Sequence, residues 1–296
     1  MPLLTWDGTG NRYFETGVDR GVLYIYNGST GEYDTGYAWN GLTTITETPT
    51  GGEATPMYAD NVKYLNLLST EELTGTIEAM TYPDAFAACD GSASIATGVS
   101  IGQQTRATFG LSYRTRIGND IKGSDLGYKL HLVYGCLASP SERAFATVND
   151  TPEAITFSWA FTTTPVPVSG YKNTSLITID STKIAPANLA SLENTLYGGG
   201  ASGFPLLPSP ATVVSLLSAT QTSVIATAPT FVAGTGVITI PTVTGVTYKR
   251  ADTNVAVSGT VTIPTSGASL RIIAVPASSA YVLSAASDDD WVFTRT

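Results

Sequence analysis

Histidine, cysteine and charged residues are all scarce in this chain. Its 296 residues include 1 His and 2 Cys, and only 13% are Asp, Glu, Lys or Arg. Any Ser-His-Asp triad or histidine metal site would have to use His131, which lies inside the strand-like segment KLHLVYG. We therefore expect a protein that is not an enzyme and that holds neither a metal nor a cofactor.

The two cysteines are isolated in the sequence. Cys89 and Cys136 are far from each other, and neither has a clustered His or a second Cys nearby. Disulfide frameworks and zinc sites both depend on such clusters. The spacing predicts two reduced thiols packed in a core.

Long apolar runs are also missing. No segment approaches the run of about 18 apolar residues that a membrane helix needs. The first residues lack a basic region followed by an apolar run, which a signal peptide would have. We expect neither membrane insertion nor secretion by a signal peptide.

Three short acidic motifs could carry chemistry, and each is better explained as a turn. Asp34-Thr35-Gly36 matches the core of an aspartic protease motif, but Tyr33 and Tyr37 flank it where that family prefers an apolar residue and Ser or Thr. Asp288–Asp290 could bind a cation, although consecutive carboxylates before a terminal strand favour a solvated turn. Asp7–Gly10 lacks the later Gly and the Lys of a phosphate loop.

The net charge of −9 is unevenly distributed. Residues 1–198 contain 20 Asp or Glu against 11 Lys or Arg, whereas residues 199–296 contain 4 of each kind. Nucleic-acid binding through phosphates needs Lys and Arg, so an acidic domain should repel DNA over a Debye length of roughly 8 Å. The charge therefore suits a wall to which DNA does not adhere, and it also suits ordinary solubility.

Alternation of apolar and polar residues predicts strands with one buried face. Apolar residues occupy every second position in Ile155–Phe161, and similar patterns occur in Leu73–Ala79, Thr105–Thr115 and Lys129–Leu137. Abundant Gly and Thr with short apolar runs also favour strands and turns. The sequence predicts an all-β fold, a β-sandwich or barrel of antiparallel sheets.

One helix and one linker divide the chain. Pro186 begins a segment in which Leu189, Leu192 and Leu196 recur at helical spacing, and Gly198 ends it. Three glycines and nearby prolines then predict a linker. The predicted domains are residues 1–198, a linker at 199–211 and a second domain at 212–296.

The second domain contains two near copies of one strand pattern. GVITIPT spans Gly236 to Thr242, and GTVTIPT spans Gly259 to Thr265. Each reads as a short strand ended by Pro. With the other short strands of this region they predict a small immunoglobulin-like β-sandwich.

Several segments of the first domain occur in an order that resembles a known family. The segments are LLTWDGTGNRYFETGVDRGVLY (3–24), residues 37–84 with the turn TYPD, IGQQTRATFGLSYRTRIGND (101–120), NDTPEAITFSWAFTTTPVPV (149–168) and LITIDST (176–182). Together they resemble the major tail proteins of bacteriophages with long flexible tails. The resemblance extends from about Leu3 to Gly198.

The resemblance implies a structural virion protein. Subunits of that family close into hexameric rings, the rings stack into the tail tube, and the tube is the conduit for DNA delivery. It also implies assembly in the host cytoplasm and contact with a tape measure protein, a tail terminator and a baseplate or distal tail protein. The second domain resembles the small β domains that some phages display on the tube exterior.

The segment 37–60 is the predicted contact with a neighbouring subunit or ring. Large apolar groups flank a polar loop there and need a partner to cover them. We therefore expect Trp39→Ala to impair tube assembly more than folding of the subunit. The candidate contact residues are Trp39, Asn40, Glu47, Glu53, Met57 and Tyr58.

Polar faces of otherwise apolar strands are candidates for the wall of the channel. Carboxylates and short hydroxyls would keep DNA from adhering, although the same residues could lie on the outer surface. The candidates are Glu72, Thr74, Thr76, Glu78, Thr156 and Ser158.

A carbohydrate-binding or adhesin module of a virion or cell surface is the alternative function. Such modules are also β-rich and acidic, and they present clustered exposed aromatic residues. Tyr248, Tyr281 and Trp291 of the second domain are too scattered in sequence to decide this.

Overall fold

The structure is a computed structural model that describes residues 6–145, 147, 150, 154–199, 203–220, 222–278, 280–284 and 286–296. Strands make up 50% of the chain and helices 9%, which confirms the predicted all-β class with a flanking helix. The chain separates into two compact units, residues 1–217 and residues 218–296. No helix in the described part of the chain has both the length and the apolar character that crossing a bilayer requires.

The first unit combines long strands with two helices and one short 3-10 helix at Asp84–Ala88. The helices are α1 (Pro186–Tyr197) and α2 (Pro210–Leu217). The strands are β1 (Tyr13–Asn27), β2 (Glu32–Trp39), β3 (Leu42–Thr50), β4 (Ala54–Ala59), β5 (Val62–Leu68), β6 (Glu72–Ala79), β7 (Ala93–Ala96), β8 (Val99–Ile101), β9 (Phe109–Asn119), β10 (Gly123–Ala138), β11 (Phe157–Thr163) and β12 (Leu176–Asp180).

One antiparallel sheet organises the first unit. Its strands run in the order β2-β1-β9-β10-β11-β6-β3, and β12 pairs with β10 beside this path. Every pair of neighbours in it is antiparallel. Strands β2 and β3 are therefore the two ends of the sheet, although they are consecutive in the chain.

The sheet curls into a barrel because its two ends are joined by a short connection. Strand β2 ends at Trp39 and β3 begins at Leu42, so three peptide steps, at most about 11 Å, link the two ends. Leu42 packs against β1, where a Cβ added to Gly21 would lie 2.1 Å from Leu42 Cδ1. Glycine at position 21 thus permits the close approach of β3 to β1, although β2 and β3 do not pair with each other in the described part of the chain.

Aromatic side chains fill the barrel interior. The Phe86 ring lies 4.7 Å from the Trp39 ring and 5.1 Å from the Trp159 ring, centroid to centroid. Each fully buried large apolar side chain contributes roughly 1.5–3 kcal/mol of transfer free energy. The interior cluster comprises Leu23, Trp39, Ile77, Ala79, Phe86, Cys89, Phe109, Leu111, Tyr113, Val133, Cys136, Ala138, Trp159 and Phe161.

Helices α1 and α2 cover the outer face of β1, β9 and β10. Leu189, Leu192 and Leu196 of α1 are buried against these strands, and Gly198 ends the helix with φ 88°, as the sequence predicted. The phenol of Tyr24 in β1 donates a hydrogen bond to the Leu196 carbonyl at 2.9 Å. Because of this cover, Ser112 in β9 is fully buried, so the expected one-sided burial of this strand is wrong.

The two units divide further along the chain than the predicted linker at 199–211. Leu207 is buried in the first unit, and its N–H donates to the Tyr33 carbonyl at 3.2 Å. Val213 of α2 is also buried there. Since these apolar side chains pack on the outer layer of the first unit, α2 belongs to it, and the second unit begins at Ser218.

The second unit is a small β unit with two main sheets, β14-β15-β18 and β17-β16-β19-β21, and a parallel pair, β13-β20. The near-copy segments supply β15 and β18, which pair antiparallel with Val237 opposite Thr262. Its immunoglobulin-like topology stays a prediction. The strands are β13 (Thr222–Val224), β14 (Thr230–Val232), β15 (Val237–Ile240), β16 (Val246–Arg250), β17 (Ala256–Val257), β18 (Gly259–Thr262), β19 (Ser269–Pro276), β20 (Tyr281–Leu283) and β21 (Asp290–Thr294).

Candidate assembly surfaces

Strands β4 and β5 form an isolated hairpin, residues 54–68, which we call the arm. They pair with each other and, within the described residues, with no other strand. Every residue of both strands is exposed. Asp60 and Asn61 form the turn with φ of 50° and 61°, which is the backbone that a two-residue hairpin turn requires.

The arm is apolar as well as exposed. Tyr64 and Leu68 are each 72% exposed, and Tyr58 is 70% exposed. A lone two-stranded hairpin is only marginally stable in water, and contiguous exposed apolar groups mark interaction sites. The arm therefore has the features of a surface that another molecule covers. Its exposed apolar side chains are Met57, Tyr58, Val62, Tyr64, Leu65, Leu67 and Leu68.

Four of the predicted contact residues lie on or near exposed connections. Met57 and Tyr58 are on β4 of the arm, and Glu53 directly precedes it. Asn40 is exposed in the connection between β2 and β3. Their exposure is compatible with the predicted contact, which stays a prediction.

Trp39 does not belong to this surface. It is 3% exposed in the barrel interior, and its indole N–H donates to the Thr81 carbonyl at 3.0 Å. The sequence reading took Trp39 for a residue that a partner must cover, but the curled sheet covers it within the same chain. The prediction that Trp39→Ala affects assembly more than folding therefore starts from a wrong premise.

Glu47 also turns inward, toward strands β9 and β10. The Tyr113 hydroxyl donates to Glu47 Oε1, and His131 Nδ1 lies 3.4 Å from the same oxygen. The interaction with His131, followed by the bond from Tyr113, outweighs burial and holds the pKa of Glu47 below its ordinary value. This carboxylate serves a contact within the chain, which contradicts its assignment to a subunit contact.

Strands β3, β6 and β11 share a polar outer face. Residues directly opposite in an antiparallel pair lie on the same face. The register aligns Thr44, Glu78 and Ser158, then Thr46, Thr76 and Ala160, then Thr48, Thr74 and Thr162.

The structure thus brings Thr74, Thr76, Glu78 and Ser158 together among the predicted channel residues. Glu72 is exposed opposite Thr50 at the end of the same face. Thr156 precedes β11, which begins at Phe157, so it lies outside the paired rows. The face is lined mainly by short hydroxyls and carries the Glu78 carboxylate.

Strand β3 is an open edge of the barrel sheet. It pairs with β6 on one side and, among the described residues, with no strand on the other. The opposite end strand, β2, is partly covered, because Tyr33 forms a bridge with Leu207. An exposed edge offers unpaired N–H and C=O groups to another strand.

The hairpin of β7 and β8 is a second exposed element that the sequence reading missed. Ile95 is 63% exposed and Val99 is 48% exposed. Gly98 has a φ of 77° in its turn. The alternation in ASIATGVSI around a Thr-Gly turn was the available signal.

The residues considered for chemistry have structural environments where they are described. Cys89 and Cys136 are both buried and free, and burial raises the pKa of Cys89 to about 12. Asp290 pairs with Arg271, and the described residues contain no cluster of three His, Cys, Asp or Glu side chains that could hold a metal ion. Thr35 and Gly36 lie within strand β2, so the turn expected at Asp34-Thr35-Gly36 is wrong, and the side chain of Asp34 lies outside the described part of the structure.

The arm, the open edge of β3 and the polar face are therefore the surfaces that an assembly could use. All three belong to the first unit, which carries the acidic excess of the chain. No protein-family model and no curated protein matches this chain.

Proposed function

We propose that this protein is a subunit of a phage-type tail tube and that its first unit builds the tube. The observation that carries the proposal is the arm, an apolar hairpin in which every residue is exposed. The resemblance of residues 3–198 to major tail proteins points to the same function. Subunits would close into hexameric rings, and the rings would stack into a conduit for DNA.

A second copy of the chain is the partner that suits the arm. An arm that contacts a different surface of the next subunit makes a heterologous contact, and such contacts propagate as rings or filaments. Covering the apolar groups of the arm would also remove an aggregation hazard. Self-assembly through the arm therefore stabilises the subunit and builds the polymer at once.

The edge of β3 provides a second contact between subunits. Pairing it with a strand of the next copy would satisfy its free backbone groups and continue the sheet around a ring. Since Thr46 and Thr48 of β3 point to the polar face, a continuous sheet would also make that face continuous. The polar face is thus our candidate for the inner wall.

Charge supports this orientation of the sheet. The first unit is acidic, and Glu78 lies at one end of the polar face, on its central strand and opposite Ser158. DNA phosphates are repelled by carboxylates and find no Lys or Arg in the aligned rows to bind. Such a wall lets DNA pass without adhering.

The proposal extends to location and partners. The protein would be assembled in the host cytoplasm and would reside in the virion tail. The second unit would decorate the tube exterior, and the tube ends would contact a tape measure protein, a tail terminator and a baseplate or distal tail protein. These partners enter through the resemblance alone.

Electron microscopy of the purified full chain tests the proposed function. We expect long tubes with a regular axial repeat as the concentration is raised. The variant Tyr64→Ser with Leu68→Ser should remain monomeric with unchanged circular dichroism, because it removes apolar surface that only a partner covers.

A matched control is Val255→Ser with Val292→Ser in the second unit, where both side chains are likewise exposed. This control should form tubes as the wild type does. Wild-type chains that stay monomeric at high concentration would contradict the proposal, as would an arm variant that polymerises normally.

The adhesin alternative has less support from the aromatic residues of the second unit. Tyr248 is 3% exposed, and its ring lies 6.0 Å from that of Trp291 in the unit's core. Tyr248 also bonds the Thr227 carbonyl at 2.7 Å. Carbohydrate platforms need exposed rings, so a glycan array that gave specific binding would be required to revive this alternative.

A further inference from the structure

The hairpin of β7 and β8, residues 93–101, shares the exposure and the apolar character of the arm, and we call it the second hairpin. Within the described residues its two strands pair only with each other. Ile95, Val99 and Ile101 are 63%, 48% and 39% exposed. Val99 and Ile101 share one face, because they lie two residues apart on β8. The first unit therefore presents two exposed apolar hairpins.

Strand directions place the two hairpins at opposite ends of the barrel. Along the path from β9 through β10, β11 and β6 to β3, each of the four neighbouring pairs is antiparallel. Strands β9 and β3 therefore run in the same direction. The arm follows the end of β3, whereas the second hairpin precedes the start of β9. The two hairpins thus belong to opposite ends of the same barrel.

Backbone hydrogen bonds fix the base of the second hairpin. The Ala107 N–H donates to the Ala88 carbonyl at 3.0 Å, and the Gln104 N–H donates to the Gly91 carbonyl at 2.9 Å. Ala88 ends the 3-10 helix whose Phe86 is buried in the barrel interior. The exposed strands of the second hairpin are therefore held at a defined place on the barrel.

Charge favours a contact between the arm and the second hairpin. The first unit carries the acidic excess of the chain, so two copies repel each other where acidic surfaces meet. Residues 91–105 contain no charged residue, and the arm carries one charge of each sign, on Asp60 and Lys63. These two elements can meet without bringing like charges together.

We propose that the arm of one copy packs on the second hairpin of the next copy in the polymer. This inference rests on the proposed function and names the surface that the arm contacts. The contact is heterologous, because it joins opposite ends of two barrels and leaves one arm and one second hairpin free for further copies. It covers the apolar groups of both hairpins, each of which is only marginally stable alone.

Crosslinking of cysteines in the assembled full chain tests the contact. Asn66→Cys in the arm and Ser100→Cys in the second hairpin both replace exposed polar residues and keep the apolar surfaces intact. After polymerisation, a short bismaleimide reagent should join successive chains into a ladder on a denaturing gel. Cys89 and Cys136 are buried and should not react.

The matched control combines Asn66→Cys with Ile121→Cys. Ile121 is 65% exposed between β9 and β10, at the barrel end where β3 leads into the arm. This control should polymerise but give no ladder. A ladder from the control, or polymers of the test variant that give none, would overturn the proposal.

A second variant removes the surface that the arm is proposed to contact. Ile95→Ser with Val99→Ser should remain monomeric with unchanged circular dichroism under conditions in which the wild type polymerises. Normal polymerisation of this variant would overturn the contact and leave the proposed function standing, whereas a monomeric wild type would overturn both. The crosslinking result decides alone where this variant fails to fold.

Discussion

At the scale of single residues, burial separates two tryptophans of similar sequence context. Trp39 packs against Phe86 and Trp159 in the barrel interior, whereas Trp6 is 79% exposed. Both follow polar or small residues near the start of a loop, so composition alone does not distinguish them. Replacing Trp39 with alanine should therefore lower the free energy of unfolding far more than replacing Trp6.

We expect Trp39→Ala to destabilise the first unit by about 3–5 kcal/mol, the range for a large aromatic group removed from a core. The lost bond to the Thr81 carbonyl adds to the cavity. Urea unfolding measures the change, with Trp6→Ala as the matched control that should change stability little. Equal losses for the two variants would contradict the burial of Trp39.

Glu47 stabilises the first unit at neutral pH, and this contribution is lost in acid. Its pKa is lowered in the folded chain from an ordinary 4.5, chiefly by His131. The contribution is therefore fully present above pH 4.5 and is lost as the pH falls through the folded value. Urea unfolding of wild type and Glu47→Gln between pH 7 and pH 3 should show a stability difference that shrinks toward the acid end. A difference that stays constant would show that Glu47 is not bonded as described.

At the scale of elements, the arm depends on a glycine at its base. Gly51 has a φ of 80°, and a Cβ added to it would lie 2.3 Å from the Thr70 carbonyl oxygen. The Ser69 hydroxyl oxygen also accepts a hydrogen bond from the Gly52 N–H at 3.0 Å. The direction in which the arm leaves the barrel is thus set by a backbone approach that only glycine permits.

We expect Gly51→Ala to disturb the arm base, with faster limited proteolysis within residues 54–68. Gly98→Ala is the matched control, because Gly98 has a similar φ of 77° but no heavy atom within 4 Å of an added Cβ. Both variants carry the cost of a left-handed conformation, roughly 1 kcal/mol, and only Gly51→Ala adds a clash with backbone. Equal rates of proteolysis within the arm in the two variants would contradict the role that we assign to Gly51.

At the scale of the whole molecule, the polar face would become the channel wall only after assembly. Glu78→Lys places a cation on the central strand of that face and should make tubes retain DNA at low salt, with retention falling as salt rises. Glu142→Lys, at an exposed position of the first unit outside the aligned rows, makes the same charge change and should affect DNA passage less. Unchanged DNA delivery with Glu78→Lys at low salt would exclude this face from the channel.

The sequence by itself determined the fold class, the helix α1 and the inward positions of Ile77, Trp159 and Phe161. These follow from local periodicity, since alternation along a strand or helical spacing of leucines decides which side chains share a face. Alternation also grouped four members of the polar face, whereas Met57 and Tyr58 were singled out as large apolar groups beside a polar loop.

Only the tertiary structure decided how distant strands meet. The folded chain buries Trp39 in the barrel interior and brings Glu47 into contact with Tyr113 and His131. It also buries both faces of β9 and packs α2 on the first unit. Each outcome depends on contacts between residues far apart in the chain, chiefly on the curl that brings β2 and β3 together at Gly21. Periodicity carries no information about such contacts, because many strand orders present the same alternating faces.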